Sequence, residues 1–233
     1  MSRTTVWRQP AFVLQSKNYR ETSLIVDVLT ESEGVVSLVA KGIRHKKTTV
    51  AAILQPFAEL ELSWRGQSTL KPLLQVEITT DFSLSGMALY CGFYVNELVH
   101  CFLHPYDANP DVFKLYQRCL ADLQSVENVE SVLRYFELDL LSCVGYGVSL
   151  DQDIQGALIQ ADRRYRFVEG AGFVTDTNGQ VSGTTLLALS RRETLDRLQL
   201  QQAKCLMREV IDNLLAGKLL KSRTVLVSIM RYR

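Results

Sequence analysis

Glu97, His100 and His104 lie on one stretch of helical periodicity. The two histidines are four residues apart and share a helix face, a spacing that can hold zinc. A nuclease or hydrolase built there would need more. No HExxH occurs, no third ligand follows from the spacing, and Cys101 points elsewhere on the helix. Histidines near a helix C-terminus are also favourable for dipole and capping reasons alone. Asp151 and Asp153 sit in a polar stretch with no partner of catalytic type and read as solvated charge. There is no GxSxG elbow, no GxxxxGK[ST] loop and no GxGxxG after a strand. Gly145-Tyr146-Gly147 follows a helix and reads as its C-cap. Enzymatic chemistry is disfavoured, and neither cofactor nor metal is expected.

Basic and aromatic groupings are better represented. Lys41-Gly42-Ile43-Arg44-His45-Lys46-Lys47 carries four permanent cations out of a strand into a loop. Lys17-Asn18-Tyr19-Arg20 sets a stacking ring beside two cations, and Gly217-Lys218-Leu219-Leu220-Lys221-Ser222-Arg223 spaces three along a junction between helices, with Ser222 available as an N-cap. Such groups contact phosphates with little sequence preference. The plain alternatives are solubilising surface and, for Lys218, a complement to a helix C-terminus.

A fourth grouping fits a peptide. Arg134, Leu138 and Leu141 share a helix face, and the preceding helix offers Val112, Leu115 and Tyr116. An apolar pocket with a guanidinium could hold an aromatic side chain and pair with a carboxylate. Pattern alone favours an ordinary surface pair between Arg134 and Glu130, four residues earlier.

The elements that must position these groups follow from periodicity. Ala11 to Leu14, Leu24 to Leu29, Val35 to Ala40, Phe57 to Trp64 and Leu70 to Ile78 read as short strands. Ser16-Lys17-Asn18 reads as a turn, Glu31 to Gly34 as a hairpin connection with Gly34 where a positive φ is wanted, and Trp64 to Gln67 as another turn. Five short antiparallel strands in the first 80 residues point to a small closed or nearly closed barrel, and five-stranded barrels of the OB type commonly bind single strands. Beyond Asp81 the period becomes helical, predicting helices over Gly86 to His104, Asp111 to Gln124, Val129 to Val144, Thr194 to Leu215 and Thr224 to Arg231. A small hairpin is expected over residues 163–175. The expected class is α+β, with a barrel domain at 1–80 and a mainly helical domain at 81–233.

Composition narrows the class. The 233 residues are 47% hydrophobic and carry formal charge +1, which excludes a disordered tail protein. The balance hides a partition: residues 1–80 are net +3, 81–150 net −6 and 151–233 net +4. Two basic ends around an acidic middle point to a basic face built from distant segments. Cys91, Cys101, Cys119, Cys143 and Cys205 lack CxxC spacing and read as buried, reduced thiols. No apolar stretch reaches the ~20 residues of a membrane span, and MSRTTVWRQPAF lacks the features of a secretory signal. A cytoplasmic protein is expected.

The order of these pieces resembles the RecO family of bacterial recombination mediators, close to the enterobacterial type. The resemblance rests on Ala11 to Leu14, ETSLIVDVLTESEGVVSLVAKGIR at 21–44, LQPFAELEL at 54–62, FYVNEL at 93–98, RYFELDLLSCVGYG at 134–147 and GKLLKSR at 217–223. It implies an N-terminal OB-fold, a helical C-terminal domain, binding of single- and double-stranded DNA, strand annealing, and association with RecR. It further implies binding of the acidic C-terminal tail of single-strand DNA-binding protein, a link to RecA loading, and association with the nucleoid. Carried over by position, Arg134 would receive the tail's terminal carboxylate, while Lys41 to Lys47 and Lys218, Lys221 and Arg223 would contact the DNA backbone. Many family members carry a cysteine-ligated zinc module after GYG. Ser149 to Gly156 contains no cysteine, so no structural zinc is expected, and the 163–175 hairpin would take over its stabilising role. The leading reading is a non-enzymatic recombination mediator. Its rivals are a metal-dependent nuclease or hydrolase and a pure protein-interaction adaptor.

Overall fold

In the computed structural model of the chain, the described residues are 5–42, 49–125 and 128–231. They form two compact units, Met1–Val126 with Ser222–Arg233, and Glu127–Lys221. The sequence reading puts a boundary at 80/81, whereas the chain divides into these units at 126/127 and 221/222.

The first unit begins with β1 (Thr5–Tyr19), β2 (Ser23–Thr30), β3 (Gly34–Ala40), a short helix α1 (Thr49–Ile53), β4 (Ala58–Arg65) and β5 (Leu70–Asp81). The strands close into a barrel in the order β1-β2-β3-β5-β4. Neighbours are antiparallel except β3 and β5, which run parallel over Ser37–Val39 and Leu70–Pro72. Period-2 alternation sends Ala11, Val13, Val28, Leu38, Leu60 and Trp64 inward, and Leu54, after α1, joins that core with no exposure. The expected turn at Ser16-Lys17-Asn18 is not one. β1 runs on, pairing Ser16 with Val26, Lys17 with Ile25 and Asn18 with Leu24, and the chain reverses at Arg20–Thr22. Gly34 opens β3 at φ +68°, the left-handed value its position anticipates. An added Cβ there would lie 2.3 Å from the Asp107 carbonyl oxygen.

The barrel's outer face explains why helices stay with it. Phe12 points out of the barrel, and its ring meets Phe82, Phe113 and Tyr116 at 6.1, 5.2 and 4.8 Å. Phe113 and Tyr116 belong to α3 (Pro110–Ser125), and Phe82 to the connection between β5 and α2 (Gly86–Phe102). Buried Asn96 of α2 donates to the Val13 and Leu14 carbonyls, and its Oδ1 accepts from the Tyr116 hydroxyl at 2.6 Å. β1, α2 and α3 are thus joined by one satisfied buried network.

The second unit contains α4 (Val129–Cys143), β6 (Arg164–Val168), β7 (Gly172–Thr175), β8 (Val181–Ser182), α5 (Gly183–Ser190) and α6 (Arg197–Leu214). Asn128 caps α4 through Glu130 N and Ser131 N. The expected hairpin is present, extended by β8 into a sheet ordered β7-β6-β8. Asp196 and Gln199 form a capping box that starts α6 at Arg197, three residues after the expected Thr194. Buried Gln202 on α6 accepts from Ser182 N, Ser182 Oγ and Thr185 Oγ1, pinning the β8–α5 junction. The chain then returns to the first unit with α7 (Lys221–Arg231). Cys91 and Cys119 are buried as expected and Cys101 is half-buried, but Cys143 and Cys205 are exposed and correct the reading that all five are core.

Candidate nucleic-acid and peptide interfaces

Strand register brings two of the basic segments together. Asn18 pairs with Leu24, and Leu24 pairs with Ala40, so one row crosses three strands. Lys17-Asn18-Tyr19-Arg20 and Lys41 therefore leave the barrel at the same rim. Lys17, Arg20 and Lys41 are exposed, and Tyr19 is half-buried with the Arg20 guanidinium 5.2 Å from its ring centre. Glu21 shares the turn. Among the described residues neither Lys17 nor Lys41 is in a salt bridge, whereas Arg8, Arg118, Arg166, Arg191, Arg192, Lys204 and Arg208 are each paired with a carboxylate. Arg44, Lys46 and Lys47 lie outside the described residues. One basic-aromatic pair escaped the sequence reading: Lys71 Nζ is 3.8 Å from the Tyr106 ring centre, and the Tyr106 hydroxyl donates to the Thr69 carbonyl. Its partners are 35 residues apart, so no local pattern marks it.

The C-terminal cations divide. Lys218 and Lys221 are exposed in the second unit. Arg223, expected to face DNA, is half-buried against α2, donating to the Tyr94 hydroxyl at 3.3 Å with its guanidinium 5.5 Å from that ring. Ser222 lies inside the first turn of α7, and its backbone N and Oγ donate to Glu97 Oε2 at 2.8 and 2.6 Å.

That docking redirects the proposed metal group. Glu97 is occupied by Ser222, His104 is exposed, and His100 Nε2 lies 3.3 Å from Asp27 Oδ2 on the barrel. Among the described residues no three His, Cys, Asp or Glu side chains could hold a metal ion. Asp27 also accepts from Gln15 Nε2 at 2.6 Å and Ser37 Oγ at 2.5 Å. The bond with His100, then those from Ser37 and Gln15, hold its carboxyl down to about 2 from 3.8, against the opposing effect of burial. In the second unit, Asp151 accepts from Ser190 Oγ, and Asp153 Oδ1 accepts from Gln155 N and Ala157 N, so these carboxylates organise loops.

The peptide grouping is rearranged most. Val112 and Tyr116 of α3 are 0% exposed and belong to the first unit's core beside Phe12, so they line no open pocket; Leu115 is half-buried. In the second unit Arg134 is buried rather than on the surface, and Leu138 and Leu141 are buried with it on α4. Its Nη2 donates to Glu137 Oε1 at 2.5 Å, both side chains being nearly inaccessible. The expected Glu130 pair does not form, because Glu130 instead meets Lys204 of α6 at 2.9 Å. Among the described residues Arg134 Nε has no hydrogen-bond partner, which is costly for a buried guanidinium.

Comparison with known proteins gives a consistent result over nearly the whole length. Residues 1–82 match the family model "Recombination protein O N terminal", and residues 84–224 match "Recombination protein O C terminal". The chain is 41% identical over 231 residues to the DNA repair protein RecO of Pasteurella multocida, covering 97% of this chain and 96% of the relative. It is 41% identical over 220 residues to that of Vibrio cholerae serotype O1, covering 92% and 91%. It is 40% identical over 217 residues to that of Methylococcus capsulatus, covering 91% and 90%. No helix among the described residues is long and apolar enough to cross a membrane.

Proposed function

The chain belongs to the RecO family of DNA repair proteins, and on that footing we propose that it is a recombination mediator acting by binding rather than by bond chemistry. In this reading it holds single- and double-stranded DNA, anneals complementary strands, and works with RecR to help RecA onto strands coated by single-strand DNA-binding protein. The observation that carries the DNA part is the shared rim: register sets Lys41 beside the Lys17–Arg20 segment on a closed five-stranded barrel. Neutralising phosphates there lowers the repulsion between two strands, and release of condensed counterions drives binding. Tyr19, partly covered by Arg20, supplies a stacking face. Lys218 and Lys221 of the second unit, and Arg44, Lys46 and Lys47 in the sequence after Lys41, are the further cations assigned to DNA.

Arg134 is assigned to the terminal carboxylate of the acidic tail, with Leu138 and Leu141 as apolar neighbours. Its unmatched Nε supports this assignment, since an incoming carboxylate would supply the missing acceptor. The experiment is fluorescence anisotropy of a labelled single strand and of a labelled tail peptide, each titrated at low and moderate salt. The mediator reading expects both to bind, the DNA with steep salt dependence. A protein that takes the peptide and leaves DNA free at low salt would be an adaptor, and the DNA reading would fall.

A further inference from the structure

A cleft of about 390 Å³ opens within the second unit, and none of the residues assigned above to DNA or to the tail lines it. Its walls are the segment following α4, the loop at Gln152 and Asp153, the β6–β7 hairpin and the last turn of α6. Among the described residues, the only charged side chains on those walls are Asp153 and Glu169. Neither is in a salt bridge among the described residues, and Asp153 is held in place by the backbone N–H groups of Gln155 and Ala157, which leave its charge intact.

Two helices also end at this cleft. α4 stops just before Gly145, and α6 contributes Val210 and, from its final turn, Asn213 and Leu214. Neither helix has a basic residue in its last turn, so no cation of the last turn itself offsets the negative end of either dipole. Two carboxylates and two helix C-termini thus act in one direction, with no lining cation against them. Phosphate is repelled from such a site.

The rest of the lining selects among cations. Val148, Phe167, Val210 and Leu214 give an apolar floor, and the Tyr146 ring at the wall is 54% exposed. An ammonium or guanidinium on an alkyl stem fits both halves, its chain on the apolar surface and its head near the carboxylates and the ring. Gly145, Gly147, Gly170 and Gly172 leave the opposing rims without side chains, so a main chain can approach closely.

We infer that this cleft docks a lysine or arginine side chain from an extended basic segment of a partner protein. The site is independent of the DNA reading and presents the opposite electrostatic sign.

The test uses the full-length protein, 15N-labelled, titrated separately with the blocked hexapeptide Gly-Lys-Arg-Lys-Arg-Gly and with spermidine. The peptide is expected to saturate and to shift the amide resonances of Gly145, Gly147, Gly170 and Gly172. Glu169→Gln, in an exposed turn, should weaken it about fivefold, as should Asp153→Asn, which keeps an oxygen for the loop N–H groups; both together should weaken it about twentyfold. Asp162→Asn, an exposed acid outside the cleft, should change nothing. Equal weakening by Asp162→Asn, or shifts scattered over all acidic surface, would overturn the site. Spermidine binding in the cleft while the peptide leaves it silent would overturn the assignment to a protein segment.

Discussion

Arg134 and Glu137 offer the sharpest mutational test, because the pair is buried and its charges are coupled. The side chains are 7% and 1% exposed and meet at 2.5 Å. With ~4 Å between charge centres and an effective dielectric near 20, the attraction is about 4 kcal/mol. Removing one partner strands the other in the interior and costs about 3–5 kcal/mol. Arg134→Ala is therefore expected to destabilise the second unit by that amount, and loss of tail binding in that variant alone would be ambiguous. The double substitution Arg134→Met with Glu137→Leu removes both charges at similar volume and should return to within about 2 kcal/mol of the starting protein. Urea unfolding of the two single variants, the double variant and the parent, followed by circular dichroism, measures the coupling. Peptide titration of the folded double variant then isolates the guanidinium's role. The expectation is a coupling energy above about 2 kcal/mol, tail affinity reduced at least about tenfold, and DNA affinity retained. Single variants as stable as the parent would refute the buried-pair energetics, and full tail affinity in the double variant would remove Arg134 as the receptor.

Three further outcomes follow from the first unit. Asp27's folded pKa of about 2 lies below its ordinary 3.8, so its stabilisation, about 2 kcal/mol, is whole above roughly pH 4 and disappears as pH falls toward 2; the stability gap between Asp27→Asn and the parent should be full at pH 6 and shrink below pH 3. Gly34→Ala would drive a Cβ to 2.3 Å from the Asp107 carbonyl at a positive φ, and thermal or urea unfolding should register a loss of about 2 kcal/mol or more. Tyr116→Phe leaves Asn96 Oδ1 without its 2.6 Å donor and should cost about 1–3 kcal/mol by the same assay.

The barrel was legible because β-branched runs alternating in period 2 leave little choice of register. Helices α2, α3, α4 and α6 were legible through their apolar spacing, with Pro110, Gly145 and Gly217 near their ends. What escaped depends on partners distant in sequence. Ser16, Lys17 and Asn18 favour turns locally, yet pairing with Leu24, Ile25 and Val26 keeps them extended. α5, GTTLLALS, carries a weak helical stripe and is set by Ser182 capping Thr185 N and by Gln202 from α6. Arg134 had acids at both i−4 and i+3; Lys204, seventy residues away, engages Glu130, and Arg134 pairs with Glu137. Phe12 reads as one more strand residue, but its outward ring packs on Phe113 and Tyr116 of α3 and holds that helix to the barrel. The cleft around Tyr146 gave no signal beyond a helix cap, because its walls come from four separate segments.

The most direct measurement of the account is the salt dependence of single-strand binding by the parent and by the triple variant Lys17→Gln, Arg20→Gln, Lys41→Gln. Each lost phosphate contact removes about 0.7 from the slope of log K against log salt, so the variant's slope should be shallower by about 2, with weaker binding at low salt and little difference at high salt. An unchanged slope would mean that this rim carries no DNA.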